Sequence, residues 1–225
     1  MSTLRDPQVQ QVLKRLHAAA RAQQPRRFGL GLGIGRRLRR LRGGTPSMQA
    51  IAEQGSEAYL SISPTQGELL YALLRLCGAR QVVEFGTSFG VSTIYLAAAV
   101  RDNGGGAVIG TELLASKAAV ARDNLSAAGL SSFASVRVGD AMSCLRGEDG
   151  AVDVLFLDGH KALYEDVFAL VTPRLRAGGL VVADNIFTFP DELRSYVRMV
   201  KCEAGFWSMV LPLGGGMAIT VKTQR

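Results

Sequence analysis

A chain of 225 residues with 48% hydrophobic and 20% charged side chains has room for one domain with a sizeable core and the balance of an ordinary globular protein. No apolar run approaches the roughly 18 residues of a membrane span, and Met1 to Asp6 lacks the apolar stretch of a secretory leader, so a cytoplasmic protein is expected. The net charge of +7 is confined to one end: residues 1–42 hold 11 of the 26 Lys and Arg against the single acid Asp6, and the remainder is slightly acidic.

In chain order, residues 1–57 read as a basic, helical N-terminal extension, a lid or an oligomer contact, and residues 58–225 as the main domain. Within the extension, Arg26–Arg42 is rich in Gly and Arg and 44–63 is an irregular approach. Gly67–Cys77 reads as a helix packing on a sheet. From Gln81 onward, short apolar runs alternate with helical patterns. The expected strands are Gln81–Phe85, Ala107–Thr111, Ala134–Val138, Val152–Leu157 and Leu180–Ala183. Between them, Val91–Val100, Ala115–Ala128 and Ala162–Leu175 carry apolar residues at helical spacing. Such alternation indicates βαβ units and a parallel sheet covered on both faces. Gly129, Gly178 and Gly179 fall where helix caps or tight turns belong. Phe206–Leu211 and Met217–Val221 are joined by only Pro212–Gly216, too short for a crossover helix, so this last pair should be an antiparallel hairpin. Cys77, Cys144 and Cys202 are scattered and odd in number, which argues against a disulfide framework or a zinc site and for buried structural thiols.

The richest stretch for chemistry is Val82 to Ser92, an apolar strand running through a glycine-containing turn into a helix. Gly86 lets the backbone pass close to a ligand and Gly90 lets the next helix begin tightly. A dinucleotide site wants Gly-x-Gly-x-x-Gly, but Glu84 stands where its first glycine would be. A carboxylate there repels a pyrophosphate and attracts the cationic end of S-adenosylmethionine, which favours a methyl donor over NAD. Glu112 ends the second strand, where an acid can accept hydrogen bonds from ribose hydroxyls; a surface Glu at a helix start is the plain alternative. After the third strand, Gly139-Asp140-Ala141 could border an adenine, with Asp140 a helix N-cap.

The sequence resembles the O-methyltransferase family that contains catechol O-methyltransferase and the caffeoyl-CoA O-methyltransferases. The likeness covers roughly residues 58–222 and rests on Ser63-Pro64-Thr-Gln-Gly67, Glu84-Phe-Gly86, Glu112, Asp158-Gly-His-Lys161, Ala183-Asp184-Asn185 and Leu213-Gly-Gly-Gly-Met217. It implies a Rossmann-like α/β methyltransferase sandwich of about seven strands, mostly parallel with a C-terminal antiparallel hairpin. It also implies that Glu84, Gly86, Thr87, Ser92, Glu112, Ala141, Asp158 and His160 meet the donor, with weaker contacts from Ser61 and Ile62. Asp158, Asp184 and Asn185 match the family's metal ligands. Two carboxylates and an amide carbonyl form an all-oxygen set suited to Mg²⁺, Ca²⁺ or Mn²⁺. Lys161 matches the family's general base, beside Asp158. Read without the resemblance, Lys161 is a solvated helix-opening Lys, Ser92 satisfies a helix start, and His160 is a loop residue or a base. The chain also departs from its relatives. Asp158-Gly-His160-Lys161 lacks the second carboxylate of Asp-Ala-Asp-Lys, and the glutamate that helps hold a second catechol hydroxyl has no match near Ser208–Leu211. Trp207, the one tryptophan, reads as core rather than as a gate.

The expectation is therefore a methyltransferase acting on a hydroxylated small molecule that carries two vicinal oxygens, with a divalent cation. The rivals are a metal-independent methyltransferase using His160 or Lys161 alone, and a non-catalytic module binding RNA or a protein through Arg36–Arg42. Little aromatic interleaving beyond Phe28 speaks against nucleic acid. The basic segment could instead cover the active-site mouth, form a homodimer contact or receive an acidic substrate tail.

Overall fold

The computed structural model describes residues 2–28, 61–147 and 150–224, with backbone alone over 23–28. The Arg36–Arg42 run and residues 44–60 lie outside this set. No helix among the described residues is long and apolar enough to cross a membrane.

Seven strands form one sheet, β1 (Gln81–Phe85), β2 (Ala107–Glu112), β3 (Ala134–Val138), β4 (Val152–Leu157), β5 (Leu175–Ala183), β6 (Phe206–Leu211) and β7 (Met217–Lys222), in the order β3-β2-β1-β4-β5-β7-β6. The first five are parallel, and β7 pairs antiparallel with both β5 and β6. Side chains alternate across a strand, so Val82, Val154 and Val182 join one core while Val83, Leu155 and Val181 join the other. The first core receives α1 (Pro7–Phe28), α2 (Pro64–Leu76), α3 (Val91–Asp102) and α4 (Ala115–Ala127). The second receives the short α5 (Ala141–Cys144), α6 (Tyr164–Val171) and α7 (Pro190–Cys202). Parity sends Glu84, two residues after Val82, toward α3.

Helix α3 is buried from Val91 to Val100, as expected of a helix that is apolar all round. The N-terminal helix lies beside it. Its stripe of Val9, Val12, Leu13, Leu16 and His17 is buried, and His17 Nε2 lies 3.0 Å from the Tyr95 hydroxyl on α3. Asp102, at the end of α3, accepts from the Thr3 amide and hydroxyl and from the Tyr71 hydroxyl.

Several boundaries differ from expectation. The helix expected over Ala162–Leu175 is α6 flanked by two 3-10 turns, Lys161–Leu163 and Thr172–Arg174. Pro173 lacks the amide a continuing helix needs. Strand β5 then starts at Leu175, five residues before Leu180, and carries Gly178 at φ +71° next to an irregular register with β4. Helix α7 was not anticipated, although Leu193, Tyr196 and Val200 form its buried stripe behind Pro190. Trp207 is 56% exposed because β6 is an edge strand with one face open, so the core assignment was wrong. Cys202 is exposed rather than buried, while Cys77 and Cys144 are half-buried.

Gly67 on α2 packs against α3 with no room for a side chain: an added Cβ would strike the Tyr95 ring. Overpacking costs about 1–3 kcal/mol, more than the ~1 kcal/mol of helix propensity that alanine offers over glycine. Gly67→Ala is therefore expected to lower the thermal midpoint by a few degrees; an unchanged or raised midpoint would show that the α2–α3 seam yields freely.

Candidate functional site

The site forms at the carboxyl ends of β1, β2, β4 and β5, where loops leave a parallel sheet and ligands have room. A shallow cleft there is lined by Ser61, Gly86, Thr87, Ser88, Phe89, Val91, Ser92 and Asp158. One wall is the loop after β1 and another is the loop after β4. They meet through glycines. Gly86 has φ +97°, and a Cβ on it would lie 2.5 Å from the Gly159 amide nitrogen. A Cβ on Gly159 would lie 2.5 Å from the Phe85 ring. The glycine at position 86 thus admits the β4 loop as well as leaving the cleft open.

Glu84 is fully buried on the α3 side. Its carboxylate accepts from Ser92 Oγ at 2.5 Å, Thr93 Oγ1 at 2.6 Å and Thr87 Oγ1 at 2.9 Å. Burial raises its pKa above the usual carboxylate value, and the three hydroxyls oppose that rise. Because Ser92 and Thr87 spend their protons on Glu84, the lone pairs they keep suit a ligand that donates, such as an ammonium group. Glu112, at the end of β2, accepts from the Ser88 amide at 2.9 Å and the Leu114 amide at 3.0 Å. Two backbone amides fix its carboxylate, and its contact with Ser88 ties it to the cleft wall. Asp140 caps α5 by accepting from the Ser143 amide, and Ala141 is buried at the first position of that helix.

The second group of side chains surrounds Asp158. Its Oδ1 lies 2.6 Å from Asn185 Nδ2 and 3.4 Å from Lys161 Nζ. Lys161 Nζ also donates to the Tyr164 hydroxyl at 2.8 Å, and that hydroxyl donates to the Asp184 carbonyl at 3.2 Å. The Lys161 ammonium stands 5.0 Å and 5.6 Å from the ring centroids of Tyr164 and Phe189. Asp184 is 4% exposed and its Oδ1 accepts from Gln66 Nε2 at 2.7 Å. Gln66 is held in turn by the reciprocal cap with Ser63 at the start of α2. Burial raises the pKa of Asp158 to about 7, with Lys161 opposing and Asp184 adding to the rise. Burial also raises Asp184, against the Asn185 amide, Lys161 and Gln66.

Two carboxylates, Asp184 buried and Asp158 in the cleft wall, with one lysine hydrogen-bonded to Asp158, leave a deficit of positive charge. That deficit and the oxygen-rich donor set fit a hard divalent cation. Among the described residues no three His, Cys, Asp or Glu side chains gather as a metal cluster. The fit accordingly needs the Asn185 amide as third member. Asn185 sits at φ +71°, a left-handed conformation uncommon outside glycine and one that clusters at functional sites. His160 stands half-buried beside Lys161, its Nδ1 without a partner and its pKa lowered by burial and then by Lys161.

The structure thus gathers Gly86, Thr87, Ser92 and Asp158 in one cleft, with Glu84, Lys161 and Asn185 each one hydrogen bond away. Ala141 is seated in the second core rather than among the cleft-lining residues. Gln66, Thr93 and Tyr164 were not anticipated. The Ser63-x-x-Gln66 spacing of a capping box was the legible signal for the first; nothing in sequence marks the other two.

Residues 83–186 match a family model described as a methyltransferase domain. The chain is 40% identical over 141 residues to a catechol O-methyltransferase of Niastella koreensis, covering 61% of this chain and 62% of that protein. It is 33% identical over 148 residues to a catechol O-methyltransferase of Mycobacterium tuberculosis, covering 64% and 66%. The chain therefore spans just under two thirds of the length of these curated relatives. Among solved structures, the O-methyltransferase TomG of Streptomyces achromogenes, involved in tomaymycin synthesis and crystallised with S-adenosylmethionine, matches with a TM-score of 0.68. Identity there is 27%, over 77% of this chain and 86% of TomG.

The backbone and the amide of Asn185 can be separated by mutation. Both Asn185→Gly and Asn185→Ala lose the amide's bond to Asp158, but glycine accepts the positive φ, so Asn185→Ala should be less stable than Asn185→Gly by about 1 kcal/mol of strain. Equal melting of the two variants would show that the left-handed backbone is not imposed by the fold.

Proposed function

We propose that this chain, a member of the class I S-adenosylmethionine-dependent O-methyltransferase family, transfers the donor's methyl group to a hydroxyl oxygen of a small molecule bearing two vicinal oxygens, assisted by a divalent cation. The observation that carries the reading is the shared cleft: Gly86, Thr87 and Ser92, three of the residues expected to hold the donor, line the same hollow as Asp158, to which Lys161 and Asn185 are hydrogen-bonded.

In this reading Glu112, pinned by two amides, accepts from the ribose hydroxyls. Ser92 and Thr87 offer lone pairs to the donor's ammonium, backed by the buried charge of Glu84. Asp158, Asp184 and Asn185, through its Oδ1, would hold Mg²⁺, Ca²⁺ or Mn²⁺. Bound there, such an ion would draw in two adjacent acceptor oxygens and lower the pKa of the one to be methylated. Lys161, steadied by Asp158 and Tyr164, takes the proton from that hydroxyl onto its neutral amine and becomes the ammonium. The oxygen lone pair then forms a bond to the methyl carbon as the carbon–sulfur bond breaks, and S-adenosylhomocysteine leaves. Positioning the two reactants in line, with water excluded by the buried walls, accounts for most of the acceleration.

A metal-free reading has one observation in its favour, since the Lys161 ammonium already offsets the Asp158 charge at 3.4 Å. Methyl transfer to a panel of diol-bearing phenols, with Mg²⁺ and with a chelator, separates the two. The cation-assisted reading expects chelation to reduce turnover at least about 100-fold; undiminished turnover favours Lys161 alone. Lys161→Met should lower turnover by about 10²- to 10⁴-fold, the usual worth of a general base, while S-adenosylhomocysteine still binds. Full activity in that variant would remove Lys161 from the chemistry.

A further inference from the structure

We propose that Asn124 on α4 is a positioning residue for the donor-binding loop, and that Arg15 of the N-terminal helix fixes its amide, so that α1 governs donor affinity from outside the cleft. The inference rests on reading this cleft as the donor site.

The side chain of Asn124 is buried and uses both ends of its amide. Nδ2 donates to the Phe89 carbonyl at 2.9 Å, and Oδ1 accepts from an Arg15 guanidinium nitrogen at 2.7 Å. A guanidinium only donates, so Arg15 obliges the amide oxygen to face α1 and the amide NH₂ to face Phe89. The bond is charge-assisted, the stronger kind. Arg15 is exposed, so it orients Asn124 without filling the core.

Phe89 lies in the cleft wall between Ser88 at φ +50° and Gly90 at φ +82°. Two left-handed residues around one carbonyl make a loop that persists only where its surroundings hold it. Helix α4 supplies that hold along one face. Lys117 places its ammonium 5.3 Å from the Phe89 ring centroid, and Ala121 lies within 3.3 Å of where a Gly90 Cβ would stand. Asn124, one turn further on, takes the carbonyl. Ring, turn and carbonyl are thus gripped by positions 117, 121 and 124, and the last grip is set from α1. Glu112 bonds to the Ser88 amide in the same loop, so a shift at Phe89 would also displace the ribose acid.

The test is calorimetric binding of S-adenosylhomocysteine to the full chain and to four variants, each with its thermal midpoint. Asn124→Ala is expected to weaken binding about tenfold and Arg15→Ala about threefold, the scale of one lost hydrogen bond. Arg15→Lys keeps a donor and should restore most of the affinity. Thr3→Val removes the hydroxyl bond to Asp102 at the start of α1 without touching Asn124, and should leave affinity unchanged while lowering the midpoint. Wild-type affinity in Arg15→Ala overturns the proposal. So does equal weakening in Thr3→Val, which would make docking of α1 in general the cause. The Arg15 pair decides the matter even if Asn124→Ala does not fold. Absence of binding by the unmutated chain would instead sink the donor site itself, a result distinct from either.

Discussion

The arrangement of this molecule follows from placing two carboxylates at the ends of adjacent parallel strands, Asp184 buried and Asp158 in the cleft wall with 12% of its side chain exposed. Parallel pairing of β4 and β5 fixes their separation, because the Asp184 amide bonds to the Leu157 carbonyl at 2.9 Å. Charges in such a place are costly unless paired or hydrogen-bonded. Lys161 and Asn185 bond to Asp158, Gln66 bonds to Asp184, and Tyr164 holds Lys161 and the Asp184 carbonyl, so three separate segments converge on the pair. The carboxylates therefore organise the loops after β4 and β5 and the start of α2.

The β1 side of the cleft is built on a comparable arrangement. Glu84 lies beneath the cleft with three hydroxyls on its carboxylate, two from the first turn of α3. It anchors that helix to β1 while its charge bears on the space above. The two halves are brought within reach by the contact of Gly86 with Gly159, which allows the β1 and β4 loops to run backbone against backbone. Larger residues at either place would force the β1 and β4 loops apart.

Much of this was legible in the sequence, and for identifiable reasons. Strands such as Val152–Leu157 are apolar runs bounded by polar or glycine residues, and Glu84, Glu112, Asp158 and Asp184 stand at or near strand ends where parallel-sheet ligands bind. What escaped depended on tertiary contacts. Leu175–Gly179 carries too much glycine and arginine to read as strand, yet β4 pairs with it through an irregular register. Trp207 looked like core because edge position is not encoded in its neighbours. Helix α7 buries only Leu193, Tyr196 and Val200 among largely polar and charged neighbours, a stripe too sparse to stand out beside Asp184. The hydrogen bonds of Gln66, Tyr164 and Asn124 each link residues on separate elements, and no local pattern announces them.

The proposed cation site at this carboxylate pair is open to one direct measurement. Electron paramagnetic resonance of the protein titrated with Mn²⁺, in the presence of S-adenosylhomocysteine, reads its affinity without any acceptor. One tightly bound ion per chain, displaced by Mg²⁺ and lost when Asp158 is replaced by Ala, is the predicted result. A spectrum of free Mn²⁺ throughout the titration would contradict it.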